Sequence, residues 1–95
     1  MIVGVSTIEI FFSENQSLKD KRQVTRKIVG KIRTRFNISV MEVEQTNLWQ
    51  RAHIGFALVD VKKDHVDAAI ENVHRYVESL YIGKIIDTKT EIMVM

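Results

Sequence analysis

Asn37-Ile38-Ser39-Val40-Met41-Glu42-Val43 and, after a short polar connection, Arg51-Ala52-His53-Ile54-Gly55-Phe56-Ala57-Leu58-Val59-Asp60-Val61 are the stretch that decides the fold. Both segments are rich in β-branched and aromatic residues and alternate, which reads as two strands in succession. In the first, Ile38 and Val40 share one face, Met41 and Val43 the other. In the second, Ala52, Ile54, Phe56 and Leu58 alternate with His53, Gly55, Ala57 and Val59. The connection from Glu44 to Gln50 makes the pair a central hairpin.

Towards the N-terminus, Ile2 to Phe12 reads as a further strand. Ile8, Ile10 and Phe12 line one face, continued by the small Gly4 and Ser6; Val3, Val5, Thr7 and Glu9 line the other. Polar Ser13 to Gln16 leads into Ser17, an expected helix N-cap with Asp20 as its capping-box partner. Leu18, Thr25, Ile28, Val29, Ile32 and Phe36 then recur at helical spacing, and Asn37 is the expected left-handed stop. Towards the C-terminus, Asp64 is expected to cap a second helix carrying Val66, Ala69, Ile70, Val73, Val77 and Leu80, with Gly83 ending it. Lys84 to Val94 reads as the last strand, with Asp87, Lys89 and Glu91 alternating against Ile86, Thr88, Thr90 and Ile92.

The order βαββαβ predicts an α+β, ferredoxin-like fold over residues 1–95 as a single domain: a four-stranded antiparallel sheet with two helices on one face. Ile8, Ile10, Ile54, Phe56, Leu58 and Ile92 are expected on the helix side. The opposite face would carry Ala57 with Val3, Val5, Met41, Val43 and Val59. It is too apolar for a purely solvated surface, and those last five residues are the candidate dimer interface.

At 95 residues, with 45% hydrophobic and 27% charged, the chain has the composition of one globular core and not of a disordered tail. It has no cysteine, which excludes disulfides and thiol chemistry and fits a reducing cytoplasm, and no proline. No apolar run approaches ~20 residues and the first segment lacks a basic leader, so the expected location is cytoplasmic with no membrane partner.

The net charge of +2 conceals an uneven distribution. Lys19 to Arg35 holds eight cations (Lys19, Lys21, Arg22, Arg26, Lys27, Lys31, Arg33, Arg35) against Asp20, a net +7. Asp64 to Tyr81 holds four acids against Arg75, a net −3. At about 100° per residue, Lys19, Arg22, Arg26 and Arg33 fall within roughly 60° of one another, and Lys27, Lys31 and Arg35 lie on the far side. One explanation is that these are good helix formers solvating an exposed helix, some neutralised by the acidic neighbour. Lys19, Lys21 and Arg22 fit it poorly, because cations in the first turn oppose the helix dipole by something like 0.3–1 kcal/mol each. Cations at a helix N-terminus suit an anion, and phosphate is the obvious one.

Other chemistry finds little support. Ile54-Gly55-Phe56-Ala57-Leu58-Val59 half-resembles the base-stacking strand of an RNA-recognition motif, but Leu58 replaces the second aromatic and Glu9 supplies none from the first strand. His65 and His74 are nine residues apart and out of phase on one helix, and His53 sits alone on a strand, so no metal or cofactor is expected. Glu42 and Glu44 read as a solvated strand end in preference to a catalytic pair. The four glycines are scattered, so there is no phosphate-cradling loop and no evident small-molecule substrate. Trp49, the only tryptophan, reads first as a half-buried anchor with Arg51 over its ring, and second as an aromatic beside a cation for a base or protein partner.

Ser17-Leu18-Lys19-Asp20-Lys21-Arg22, Arg35-Phe36-Asn37-Ile38-Ser39-Val40-Met41-Glu42-Val43 and Leu48-Trp49-Gln50-Arg51-Ala52 together resemble the YlxP-like family (domain of unknown function 503) across nearly the whole chain. Met41 departs from the usual alanine, and His53 stands where a small polar residue is expected. The resemblance implies a ferredoxin-like fold and no established activity. Its members are often encoded among bacterial translation factors, which favours a ribosomal anion over others.

These readings converge on a non-catalytic RNA- or ribosome-associated domain, with RNA or the small ribosomal subunit as partner. Lys19, Lys21, Arg22, Arg26 and Arg33 would contact phosphates, with Trp49 and Arg51 as adjuncts. The alternative is a structural protein–protein module that forms a homodimer through the apolar sheet face.

Overall fold

The computed structural model describes residues 1–44 and 47–95. Its elements run β1 (Ile2–Phe11), α1 (Leu18–Arg35), β2 (Ser39–Glu44), β3 (Arg51–Asp60), α2 (Lys63–Ser79) and β4 (Lys84–Val94). The sheet order is β2-β3-β1-β4, antiparallel throughout, the ferredoxin-like arrangement that the hairpin-centred order implies. No described helix is long and apolar enough to cross a membrane.

Alternation sorts the sheet. Ile8 and Ile10 of β1, Ala52, Ile54 and Phe56 of β3, and Val40 of β2 are buried against Ile28 and Ile32 of α1 and Val66, Ile70, Val73 and Val77 of α2. Leu58 and Ile92 pack at the margin of the same core. Phe56 therefore faces the helices, and the half-match to a base-stacking strand has no counterpart on the open face.

Helix termini show where local chemistry acts. Ser17 caps α1 as expected: its hydroxyl accepts from the Asp20 amide (3.1 Å), and the Asp20 carboxylate accepts from the Gln16 amide (2.9 Å). Asn37 is not a left-handed stop; α1 ends at Phe36 in extended backbone. Asp64 lies inside α2 and does not cap it. No side chain caps α2; Asp60, at the end of β3, accepts from the amides of Val61 (2.6 Å) and Lys62 (3.2 Å) in the turn before it and lies beside His65 Nδ1 (3.2 Å). The Lys62 amide foremost, then that of Val61 and the His65 ring, hold the Asp60 carboxyl below the usual carboxylate range.

Gly83 is also not a helix stop, because the left-handed residue after α2 is Tyr81 (φ 52°). A Cβ at Gly83 would meet Ile10 Cγ2 at 2.6 Å and Phe12 Cδ1 at 2.7 Å, so glycine is required by close approach to the core. A β-bulge in the β1–β4 ladder pairs Glu9 with Asp87 but Ile10 with Ile85. Simple alternation places Ile86 with Thr88 and Thr90; the extra residue instead turns Ile85 to the core and leaves Ile86 exposed.

Candidate nucleic-acid interface

On α1 the spacing 21, 25, 28, 32 marks the buried column: Lys21, Thr25, Ile28 and Ile32 all pack inward. Lys21 is only 3% exposed, so its assignment as a surface phosphate contact is corrected. Its four- and seven-residue offsets from Thr25 and Ile28 place it inside the apolar stripe, a signal that counting charges overlooks. Arg33 is corrected in part: its guanidinium donates to Val40 O (2.9 Å) and ties the end of α1 to β2.

The remaining cations are outward. Lys19, Arg22 and Arg26 are exposed along one flank, and Lys27 and Lys31 rise along the other with Arg35 above them. Gly30 sits between the two flanks, and a Cβ there would meet nothing within 4 Å. Around it lies an open groove of about 550 Å³ lined by Arg26, Lys27, Lys31, Thr34, Arg35 and Tyr76. The Arg35 guanidinium stacks 5.4 Å from the Tyr76 ring centroid, and Tyr76 meets Phe36 edge-on (5.5 Å). Sequence reasoning separated the two flanks but missed that Gly30 and Tyr76 shape the space between them.

α2 pairs four of its six charges within itself. Lys63 pairs with Asp67 (3.1 Å) and Arg75 with Glu71 (2.7 Å), both four residues apart. Among the described residues, no ion pair engages Lys19, Arg22, Arg26, Lys27 or Lys31, so neutralisation by the acidic neighbour is not what the structure shows.

Trp49 and Arg51 lie at the end of the domain where α1 begins. The loop entering α1 is bonded to the loop before β3: Phe12 N donates to Gln50 O (2.8 Å) and Asn15 Nδ2 to Trp49 O (3.1 Å). It is the backbone of Trp49 that is anchored; the side chain stays 49% exposed. Arg51 does not cover that ring; it pairs with Glu9 (3.4 Å), leaving the first reading of Trp49 only partly correct. The structure thus brings Lys19, Arg22, Trp49 and Arg51 to one end and leaves Arg33 at the other.

The candidate dimer residues share the open sheet face. Val3 lies opposite Val59 and Met93, Val5 opposite Ala57, and Met41 opposite Gly55 with Val43 over it. Met41 (61%), Val59 (59%), Met93 (47%) and Val43 (44%) are exposed. Met93 is the member that the sequence reading missed.

A polar cluster under α2 was also missed. Ser6, fully buried, donates to Lys89 O (3.0 Å) and lies 3.0 Å from His74 Nε2 and 3.2 Å from Thr90 Oγ1. Since the single hydroxyl proton goes to Lys89 O, His74 must donate through Nε2–H. Burial lowers the His74 pKa below its usual value, partly opposed by Glu78 and Glu71. Among the described residues no three His, Asp or Glu side chains converge on a metal-sized site. His53 is half-buried opposite Glu9, and the Glu44 side chain of the supposed carboxylate pair lies outside the described residues.

A four-stranded antiparallel sheet with one polycationic and one self-paired helix defines a ferredoxin-like domain with an open basic surface. Within that class, the chain belongs to the family DUF503, described as a protein of unknown function, whose profile matches residues 3–90. It is 27% identical over 78 residues to the uncharacterized protein YlxP of Bacillus subtilis (strain 168), covering 82% of this chain and 85% of that protein. Among solved structures it is similar to "Putative Chlorite dismutase TA0507", with a TM-score of 0.53 and 14% identity over 97% of this chain. The match spans 44% of that longer protein, and at this identity the likeness is one of fold alone.

Proposed function

We propose that this protein is a non-catalytic, cytoplasmic RNA-binding domain, associated with the ribosome, that grips phosphates along α1. The observation carrying the reading is the set of five outward α1 cations (Lys19, Arg22, Arg26, Lys27 and Lys31) without an ion-pair partner among the described residues. Like charges three and four residues apart destabilise a helix, so folding alone would not select them. An open mid-helix glycine at their centre, costing about 1 kcal/mol relative to alanine, adds a second feature that folding does not explain.

The test is RNA and small-subunit binding against salt, for wild type and for Arg22→Glu/Arg26→Glu/Lys31→Glu. Each single-strand phosphate contact adds about −0.7 to the log–log salt slope, so three lost contacts should flatten it by about 2. Equal affinity and slope in the two proteins would remove the reading.

A second reading, from the open sheet face, is self-association through Met41, Val43, Val59 and Met93 with Val3 and Val5 beneath. A two-fold axis would lay this patch on itself, with Glu91 of the edge strand β4 beside Val5. Sedimentation decides it: wild type should be dimeric and Met41→Asp/Val59→Asp monomeric. A wild type that stays monomeric at every accessible concentration rejects it.

A further inference from the structure

The geometry points to a nucleobase-stacking site at Trp49, so that the ligand of α1 is a single strand with an unpaired base at the helix's N-terminal end. This rests on the reading of α1 as a phosphate-binding helix and specifies which nucleic acid it takes. A tryptophan ring half in water, next to a Leu48 side chain that is also exposed, is an unfavourable use of apolar surface for a lone fold. The two residues line a cavity of about 330 Å³ with Phe11 and Arg51, and among the described residues its lining holds no acidic side chain. That volume is at the small end of ligand clefts, roughly 300–1,000 Å³, and suits one planar group.

The backbone that carries the ring is anchored. Asn15, itself only 9% exposed, donates to Trp49 O at 3.1 Å, and the neighbouring Gln50 O accepts from Phe12 N at 2.8 Å. The backbone at Trp49 and Gln50 is therefore fixed before binding, which lowers the entropic cost of stacking. Arg51 already holds Glu9, so it forms a wall and not the anion contact. The phosphates flanking a stacked base would fall to Lys19 and Arg22, exposed in the first turns of α1 that the same staple brings to this end. A duplex offers no free base face to the cavity, and a single strand does. Stacking on an aromatic ring is tolerant of sequence, so no base preference is needed.

Because Trp49 is the only tryptophan in the chain, its fluorescence reads the site directly. A single-stranded ten-nucleotide RNA of mixed sequence should quench it, whereas the same sequence annealed into a duplex should not. Trp49→Ala should weaken single-strand binding roughly 5- to 150-fold with an unchanged salt slope, and Trp49→Phe should recover most of the loss. Thermal unfolding of both variants checks that the fold persists, and the wild-type quenching stands independently of it. Unchanged emission at saturating RNA, as expected if the cavity takes an apolar side chain of a protein partner, overturns the proposal. If Arg22→Glu/Arg26→Glu/Lys31→Glu loses binding while Trp49→Ala binds like wild type, the stacking site alone falls. If the wild type binds no RNA, the reading of α1 falls and takes the stacking site with it.

Discussion

The two helices lie side by side on one sheet and are built on opposite principles. α2 pairs four of its six charges within itself, Lys63 with Asp67 and Glu71 with Arg75. α1 has a good N-cap and dipole-compatible arginines in its last turn, yet leaves five cations facing water without partners among the described residues. The glycines beside the two helices differ in the same way. Under α2, Gly4 of β1 lets Val66 and Ile70 press onto the strand, whereas Gly30 on the outer side of α1 has open space. α2 carries the signs of a helix shaped by folding, and α1 carries charge and space that folding does not need.

The largest expected effect comes from exchanging the charge of each helix in turn. Arg22→Glu/Arg26→Glu/Lys31→Glu should lower RNA affinity roughly a hundredfold or more at moderate salt. Asp67→Lys/Glu71→Lys/Glu78→Lys should not lower it, although it breaks both i,i+4 pairs and so costs stability. An equal loss of RNA affinity in the two proteins would mean that fold integrity, not α1, controls binding. Next in size is the glycine contrast, read by chemical denaturation. Gly4→Ala forces a Cβ onto Val66 and to 2.8 Å from Ile70 Cδ1, and should cost about 1–3 kcal/mol. Gly30→Ala should instead stabilise by about 0.5–1 kcal/mol. A destabilising Gly30→Ala would show that the notch serves packing.

The same contrast explains what the sequence discloses. The element order, both sheet faces and the Ser17 cap are legible because they rest on spacings of two to four residues within one segment. Lys21 was legible in principle, since its spacing from Thr25 and Ile28 puts it in the core column, but residue type argues the opposite. The left-handed position expected of Gly83 falls to Tyr81, and the contact that does require Gly83, against Ile10 and Phe12, joins elements far apart in the chain. The bulge that turns Ile85 inward is likewise invisible to alternation, which assumes an unbroken ladder. For the site, the density of charge on α1 could be counted, but whether α2 neutralised it depended on which partner each acid chose. Spacing did contain that answer: Asp67 and Glu71 each have a cation four residues away on their own helix.

Buried hydroxyls under the two helices give the third comparison. Ser6, beneath α2, has partners in His74, Lys89 and Thr90, whereas Thr25 Oγ1 on α1 is buried with none among the described residues. Ser6→Ala should cost about 1–2 kcal/mol, and Thr25→Val, which replaces an unsatisfied hydroxyl by a methyl of similar shape, should stabilise by about 1 kcal/mol. A destabilising Thr25→Val would reveal a partner for that hydroxyl in solution.

The smallest effect is the dependence of the α2 cluster on pH. Burial lowers the His74 pKa in the folded protein below the value of 6.5 that it regains on unfolding. The unfolded chain therefore takes up the proton first, so this contribution is fully present above about pH 6.5 and is lost as pH falls towards the lowered native value. Protonation occurs at Nδ1, because Nε2 already donates to Ser6, so the hydrogen bond survives and what is lost is the cost of charging a half-buried ring. Glu71 and Glu78 offset part of that cost, and pairing with Arg75 limits what Glu71 can offer. His74→Gln keeps a donor for Ser6 without a titrating group. Its stability should fall less than that of wild type between pH 6.5 and the onset of carboxylate protonation, when both are measured by urea unfolding. Parallel pH profiles for the two proteins would mean that the ring is as well solvated under α2 as in the unfolded chain.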